Sequence, residues 1–245
     1  MVDATTLYVL LVVFAATLIR SAFGFGEALL AVPLLALCIP LKIAAPLAVL
    51  ISITIAGLIV AQDWKKIHLR SAGWLVLSTL FGIPLGLLLL TSSHQQAVKI
   101  ALAILIIAFA AYSLIGRRPP ELPRDNWTWL LGCGFCAGVL GGAYGMNGPP
   151  LVIYGAMRRW SAQRFRATLQ GYFLPASVVG MGGYWLAGLW VPTVTHYYLI
   201  SLPAMLPAIL LGRILNRRLR GDSYVYFALA GIGVILLIQS AGGYR

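Results

Sequence analysis

The stretch Gly141-Gly-Ala-Tyr-Gly-Met-Asn-Gly-Pro-Pro150 interrupts a long apolar run that covers residues 127–157. A second stretch, Ser21-Ala-Phe-Gly-Phe-Gly-Glu27, interrupts another apolar run at residues 5–40. Both runs exceed the ~20 apolar residues that a helix needs to cross the hydrocarbon core of a bilayer, and the free backbone of glycine favours a break in a helix. We therefore predict two helices that are broken near the middle of a membrane.

The composition places the rest of the chain in a membrane as well. Of its 245 residues, 60% are apolar and only 10% are charged, whereas a soluble domain is about a quarter charged. The net charge of +12 does not indicate a nucleic-acid partner, because the basic residues form short clusters between apolar runs rather than one continuous stripe. The lipid bilayer is the partner that this composition predicts.

Six further apolar segments have the length of a membrane span. They lie at residues 43–61, 71–91, 96–115, 167–187, 193–212 and 222–241. When the sequence is shifted by 121 residues, Gly24 meets Gly145 and the two glycine breaks coincide. The chain therefore reads as two halves, residues 1–120 and 121–245, each with one broken helix followed by three spans.

The placement of Lys and Arg predicts how these segments cross the membrane. Loops 62–70, 116–126, 158–166 and 213–221 hold three, three, four and four basic residues, and loops 92–95 and 188–195 hold none. All four basic loops face the cytoplasm if each broken helix enters and leaves on one side as a re-entrant hairpin. The predicted fold is an all-α polytopic membrane protein with two inverted repeats, each a re-entrant hairpin plus three transmembrane helices, and with both termini outside. A conventional eight-span path is the alternative.

Each break is followed by a short helix that would begin near the middle of the membrane. The first is predicted from Glu27 to about Cys38, and the second from Pro149 to Met157, with Asn147 as its N-cap. Free N–H groups and the positive end of the helix dipole favour an anion at such a start. We therefore predict one central site for a small anion between the two helix starts. Its candidate substrate-binding residues are Arg20, Gly24, Gly26, Tyr144, Gly145, Asn147, Gly148 and Gln170.

Two of these assignments have alternatives. The glycines let a ligand approach the backbone, but small residues also let membrane helices pack closely together. Glu27 is the candidate for proton coupling, because a carboxyl group buried away from water binds a proton more readily. Arg20, seven residues earlier, either binds the anionic substrate or forms a structural ion pair with Glu27.

The residues at the two breaks resemble those of a known family. The pattern Gly24-Phe-Gly26-Glu27-Ala-Leu-Leu-Ala-Val-Pro33-Leu-Leu, its counterpart Gly138-Val-Leu-Gly-Gly-Ala-Tyr-Gly-Met-Asn-Gly-Pro-Pro150-Leu-Val and the segment Ala162-Gln-Arg-Phe-Arg-Ala167-Thr-Leu are similar to the TauE/SafE sulfite exporter family, also called the toluene sulfonate uptake permeases. The resemblance implies a transporter of sulfite, sulfonates or related small organic anions in a bacterial inner membrane. Glu27 and Asn147 interrupt the run of three glycines that the family often has at each break, which leaves the substrate open.

Other functions remain as alternatives at this stage. A passive channel for small anions would use the same residues and would differ in lacking coupling to protons. An intramembrane enzyme has little support, since the sequence contains no HExxH motif and no nucleophile beside a credible base. We predict no cofactor and no metal site, and we leave a homodimer open.

Overall fold

The computed structural model describes residues 3–63, 69–115, 120–122, 126–160 and 162–218. Within these residues the chain forms nine α-helices and no strand, as the all-α prediction requires. The helices are α1 (Ala4–Phe23), α2 (Glu27–Cys38), α3 (Leu41–Asp63), α4 (Leu69–Thr91), α5 (Gln95–Ile115), α6 (Trp127–Tyr144), α7 (Gly148–Met157), α8 (Ala162–Leu186) and α9 (Pro192–Arg218). The predicted span at 222–241 and parts of the basic loops lie outside the described residues.

Five of the described helices are long and apolar enough to cross a membrane. Four of them contain predicted spans, at Leu41–Ala61, Ala72–Thr91, Gln95–Ile115 and Pro192–Leu215. The predicted span at 167–187 corresponds to α8, which ends at Leu186 and whose 25 residues have sufficient length. α8 contains polar residues, among them Gln170, Tyr172 and Ser177, and it is not one of the five apolar helices.

The first broken segment contains a full-length helix before its break. α1 has 20 residues, which at about 1.5 Å per residue is enough to cross the hydrocarbon core. α6, which precedes the second break, has 18 residues. Helices of these lengths are compatible with a segment that crosses the membrane and with one that returns to the side from which it entered. The re-entrant hairpins and the inverted repeat therefore stay predictions.

The chain divides into two compact units whose boundaries differ from those of the sequence halves. The first unit comprises residues 1–48, 92–117 and 190–245, and the second comprises residues 49–91 and 118–189. In the first unit α1 packs against α9, and in the second unit α6 packs against α4. The broken helix of each half therefore packs against a long helix from the other half.

Glycines allow α4 and α6 to approach each other closely in the second unit. A Cβ atom built on Gly138 would lie 2.9 Å from the Cα atom of Gly82, and one built on Gly142 would lie 3.0 Å from the Cα atom of Gly86. The four-residue spacing within each helix is the small-xxx-small pattern of membrane helix pairs. Helix packing, the alternative considered for the glycines of the breaks, therefore explains Gly138 and Gly142.

In the first unit, side chains from two neighbouring helices hold the short helix α2. Tyr8 of α1 donates a hydrogen bond to the carbonyl oxygen of Leu34, and Lys99 of α5 donates one to the carbonyl oxygen of Ala36, both over 3.0 Å. In an α-helix the carbonyl of Ala36 would accept from the residue four positions later, but Pro40 has no N–H group. Lys99 supplies the missing donor, and the negative end of the α2 dipole favours its charge.

Candidate functional site

Two glycines with left-handed backbone conformations form the first break. Gly24 ends α1 with φ of 87°, and Gly26 precedes α2 with φ of 99°. Other residues rarely adopt such angles, so both positions require glycine for the turn itself. The N–H group of Gly24 donates to the carbonyl oxygen of Arg20, and the N–H group of Leu30 donates to that of Gly26 over 3.1 Å. The predicted start of α2 at Glu27 and its end at Cys38 are confirmed.

A buried ion pair spans this break. The guanidinium Nη1 of Arg20 donates a hydrogen bond to Oε1 of Glu27, and the two side chains are 0% and 5% exposed. Glu27 is the first residue of α2, so its carboxylate also lies at the positive end of that helix. In this conformation the protein's own carboxylate therefore neutralises the positive groups that an anionic substrate would use. The ion pair, one of the two alternatives for these residues, forms in the structure.

Two further polar side chains of α1 lie near Arg20 in the sequence. Thr17 precedes Arg20 by three residues and Ser21 by four, and residues at these spacings lie side by side on a helix. The hydroxyl oxygens of Thr17 and Ser21 are buried and make no hydrogen bond to the described residues. Neither residue was among the predicted site residues, although the spacing of Thr17 from Arg20 is visible in the sequence.

The second break has a different composition and carries no charge. Gly145 ends α6 with φ of 67°, and its N–H group donates to the carbonyl oxygen of Gly141 over 2.8 Å. Asn147 then occupies the N-cap position of α7, which begins at Gly148 with a proline in its first turn. The predicted helix is confirmed, starting one residue earlier than expected and ending at Met157.

The expected capping role of the Asn147 side chain is wrong. The side chain makes no capping hydrogen bond to α7. It instead donates from Nδ2 to the hydroxyl group of Tyr172 on α8, 3.2 Å away. The hydroxyl group of Tyr172 lies 2.7 Å from Oγ1 of Thr79 on α4, which in turn donates to a backbone carbonyl. These three side chains, which we call the Asn147 cluster, connect the second break to two other helices.

Glycine at position 141 makes room for the amide group of Asn147. A Cβ atom built on Gly141 would lie 2.7 Å from Nδ2 and 2.9 Å from Oδ1 of Asn147. The carbonyl oxygen of the same glycine accepts a hydrogen bond from the hydroxyl group of Tyr184, 2.7 Å away. The amide group of Asn147 therefore packs against Gly141 of α6. The residue as a whole is only 7% exposed.

The space beside Gly148 is open. Gly148 is buried, yet a Cβ atom built on it would meet no described heavy atom within 4 Å apart from its chain neighbours and the backbone of its own helix. Its backbone φ is not in the left-handed region, unlike that of Gly145. Neither a left-handed turn nor close helix packing therefore explains why residue 148 is a glycine.

The remaining candidate residues, Tyr144 and Gln170, form no side-chain hydrogen bond with the described members of the Asn147 cluster. Tyr144 is the last residue of α6 and is buried. Gln170 is buried on α8, but it lies two positions from Tyr172 and so leaves the helix from a different face. Among the described residues, the Asn147 side chain forms its hydrogen bond with Tyr172 and not with Gln170. Thr79, which was not among the predicted site residues, is the third polar member of this cluster, and the substrate-binding role of Gln170 stays a prediction.

The two helix starts differ in the number of backbone donors that they offer. The first N–H groups of a helix have no partner within it, and α2 begins with Glu27, Ala28 and Leu29, all of which have an N–H group. α7 begins with Gly148 followed by Pro149 and Pro150, and proline has no N–H group. The start of α2 therefore offers more backbone donors than the start of α7, where an anion would depend more on the helix dipole and on side chains.

The C-terminal end of α7 is fixed by the linker that precedes α6. The N–H group of Leu122 donates to the carbonyl oxygen of Met157 over 2.9 Å, and Nη1 of Arg158 donates to the carbonyl oxygen of Leu122 over 2.7 Å. An exposed ion pair joins Arg159 to Glu121 at 3.7 Å. Basic residues at this helix end also suit its dipole. Their contacts with the linker add a second role.

The described residues contain no group of three or more His, Cys, Asp or Glu side chains that could hold a metal ion. The apolar helices and the helix breaks define a multi-pass membrane protein. The family model described as Sulfite exporter TauE/SafE matches residues 9–240, and the chain belongs to this family. The family resemblance expected from the sequence is thereby confirmed. The chain matches no curated protein and no solved structure.

Proposed function

We propose that the protein is a secondary transporter that carries sulfite, a sulfonate or a related small organic anion across a bacterial inner membrane. The family is described as sulfite exporters, and the buried groups at the first break suit an anion. A helix start with three free N–H donors and a buried guanidinium group offers hydrogen bonds and positive charge together. The second break adds a neutral, buried amide beside open space. The proposal that both breaks serve one substrate comes from the sequence alone.

The observation that carries the proposal is the ion pair between Arg20 and Glu27 at the start of α2. An incoming anion would compete with the Glu27 carboxylate for the same guanidinium group and the same helix end. When Glu27 binds a proton, it loses its charge and competes less strongly with an incoming anion for the Arg20 guanidinium group. An anion and a proton are therefore favoured together, which is the basis for proton-coupled transport.

A passive anion channel is the second function that the sequence allows. It would require different behaviour of the ion pair between Arg20 and Glu27. A channel needs the anion to bind weakly and leave quickly, and protonation of Glu27 would not be tied to each anion. No contact in the described structure favours the channel over the transporter. Flux driven by a pH gradient separates the two.

Anion binding is tested by thermal shift on the detergent-purified full chain. Sulfite, methanesulfonate, sulfate and acetate are compared, with sodium and potassium chloride as controls for ionic strength. A ligand that binds only the folded protein raises the melting temperature by mass action, by an amount that corresponds to about 2.7 kcal/mol at a concentration of 100 Kd. A selective rise with sulfite or methanesulfonate is expected. No rise with any anion would contradict the proposal.

The glycines supply a matched pair of variants for this experiment. Gly148→Val places a side chain in the open space at the start of α7 and is expected to remove the ligand-induced shift. Gly180→Val is the control, because Gly180 is also a buried glycine in a helix with open space around it and lies away from the break. Both variants are expected to fold, so equal ligand-induced shifts in the two would exclude the space at Gly148 from the site.

A further inference from the structure

Thr17 of α1 carries a buried hydroxyl group that does not bond to its own helix. Serine and threonine side chains in helices can bond back to a carbonyl oxygen three or four residues earlier. Several helix hydroxyl groups of this chain do so, namely those of Thr54, Ser78, Thr79, Thr91 and Ser201. Thr17 is 0% exposed, and its Oγ1 atom has no hydrogen-bond partner among the described residues. Such a hydroxyl group lowers the stability of the folded protein unless a ligand binds to it.

The start of α2 lies at the level of Thr17 along α1. A Cβ atom built on Gly26, the N-cap of α2, would lie 3.8 Å from Cγ2 of Ile19. Ile19 follows Thr17 by two residues, which is a rise of about 3 Å along the helix axis. The first N–H groups of α2, which have no partner within that helix, therefore begin within about one turn of α1 from Thr17.

Thr17 and Arg20 also lie on one face of α1. Three residues correspond to a rotation of about 300°, so the two side chains leave the helix about 60° apart. A long side chain in a helix leans towards the N-terminus, over the residues three and four positions earlier, and Thr17 holds the first of these positions for Arg20. The Arg20 guanidinium group bonds to Glu27, whereas the Thr17 hydroxyl group does not bond to that carboxylate. A buried cation, a helix start and a buried hydroxyl donor therefore lie close together in the first unit.

The second buried hydroxyl group of α1, that of Ser21, is covered by another helix. A Cβ atom built on Gly212 of α9 would lie 2.6 Å from Cβ of Ser21 and 2.6 Å from the carbonyl oxygen of Leu18. The backbone of α9 therefore packs directly against Ser21. Thr17 lies about 40° around the helix axis from Ser21, on the side that is nearer to Arg20. Of the two hydroxyl groups, that of Thr17 is the one beside the ion pair.

We propose that Thr17 is a substrate-binding residue whose hydroxyl group donates a hydrogen bond to one oxygen of the transported anion, while a second oxygen meets Arg20 and the start of α2. This inference rests on the proposed anion transport and adds a contact to its site. It requires an anion with at least two oxygens, as sulfite and sulfonates have. Binding of the anion gives the hydroxyl group a partner and removes the cost of burying it unpaired.

The sign of the change in stability separates a ligand-binding hydroxyl group from a structural one. Thr17→Val nearly keeps the shape of the side chain and removes the unpaired hydroxyl group. The melting temperature of the ligand-free full chain in detergent is therefore expected to rise by about 2–4 °C. Ser201→Ala is the control in the same unit, because the buried Ser201 hydroxyl group donates to the carbonyl oxygen of Tyr197 over 2.7 Å. No rise is expected for this control.

Binding of sulfite and of methanesulfonate is measured on the same proteins by isothermal titration calorimetry. Thr17→Val is expected to bind both anions about ten-fold more weakly, which is the effect of losing one hydrogen bond to a charged group. Thr17→Ser keeps the hydroxyl group and is expected to bind both anions with the wild-type affinity. Ser201→Ala leaves the start of α2 unchanged, so its affinities should also match those of the wild-type protein.

A Thr17→Val variant that is more stable without ligand and binds both anions more weakly supports the proposal. The absence of a rise in its ligand-free melting temperature would assign the hydroxyl group to folding and overturn the proposal. Wild-type affinities in Thr17→Val, or a loss of affinity that Thr17→Ser or Ser201→Ala shares, would overturn it as well. If the wild-type protein binds neither anion, the proposed anion transport itself fails, and this inference fails with it.

Discussion

Arg20 and Glu27 form an ion pair that is buried at the start of α2, and the two residues approach across the glycine break that separates their helices. The pair places a permanent positive charge, a group that can bind a proton and a helix end at one point. Burial makes each charge dependent on the other. A change in the charge of Glu27 therefore changes what Arg20 can bind.

The dependence of the two charges predicts the outcome of a double-mutant cycle. Arg20→Met should destabilise the protein by about 3–5 kcal/mol, because it leaves a carboxylate buried without its cation. The combined variant Arg20→Met and Glu27→Gln should recover most of that loss. Melting temperatures in detergent measure both effects. Neither variant is expected to transport sulfite, and wild-type transport by the double variant would assign the pair to folding only.

The close contact of α4 and α6 predicts that a side chain at Gly138 is not tolerated. Gly138→Leu should destabilise the protein by about 1–3 kcal/mol or more, because its Cβ atom would meet the backbone of α4. Gly132→Leu is the control on the same helix, since a Cβ atom there has no neighbour within 4 Å. The comparison is made by thermal unfolding in one detergent. Equal stability of the two variants would mean that the helices are not packed through these glycines.

The missing N–H group of Pro40 predicts a structural role for Lys99. Lys99→Met removes the group that donates a hydrogen bond to the carbonyl oxygen of Ala36. The free energy of unfolding should fall by about 1–3 kcal/mol, the range for a buried acceptor left without a partner. Lys42→Met is the control, because the Lys42 side chain forms no hydrogen bond to the described residues. If unfolding temperatures of both variants match the wild-type value, the end of α2 does not depend on Lys99.

The helix breaks were predictable because their signals are local. Gly24 and Gly145 adopt the left-handed conformations that glycine allows, and the Asn-Gly-Pro-Pro sequence is typical of a helix start. These signals lie within a few residues of one another, so the bounds of α2 and α7 agree with the prediction to within a residue.

The contacts of the site were not predictable because they join distant parts of the chain. Tyr172 lies 25 residues from Asn147 and 93 residues from Thr79, and no local pattern indicates which buried polar side chains meet. The capping role expected of Asn147 was wrong for this reason, since a partner from another helix competes for its amide. The packing of α1 with α9 was not predictable either. The periodicity of apolar residues shows which face of a helix is buried but not which helix packs against it.

The most direct test of proton-coupled anion transport is sulfite flux into proteoliposomes under an imposed pH gradient. Wild-type protein, the Glu27→Gln variant and protein-free liposomes are compared, the last to measure leakage of the protonated species through lipid. The wild-type protein is expected to accumulate sulfite against its concentration gradient when the pH gradient is imposed. The variant, whose side chain cannot exchange a proton, should show no response to the gradient while still binding sulfite. Downhill flux by the wild-type protein that ignores the gradient, or an equal response in Glu27→Gln, would contradict the coupling.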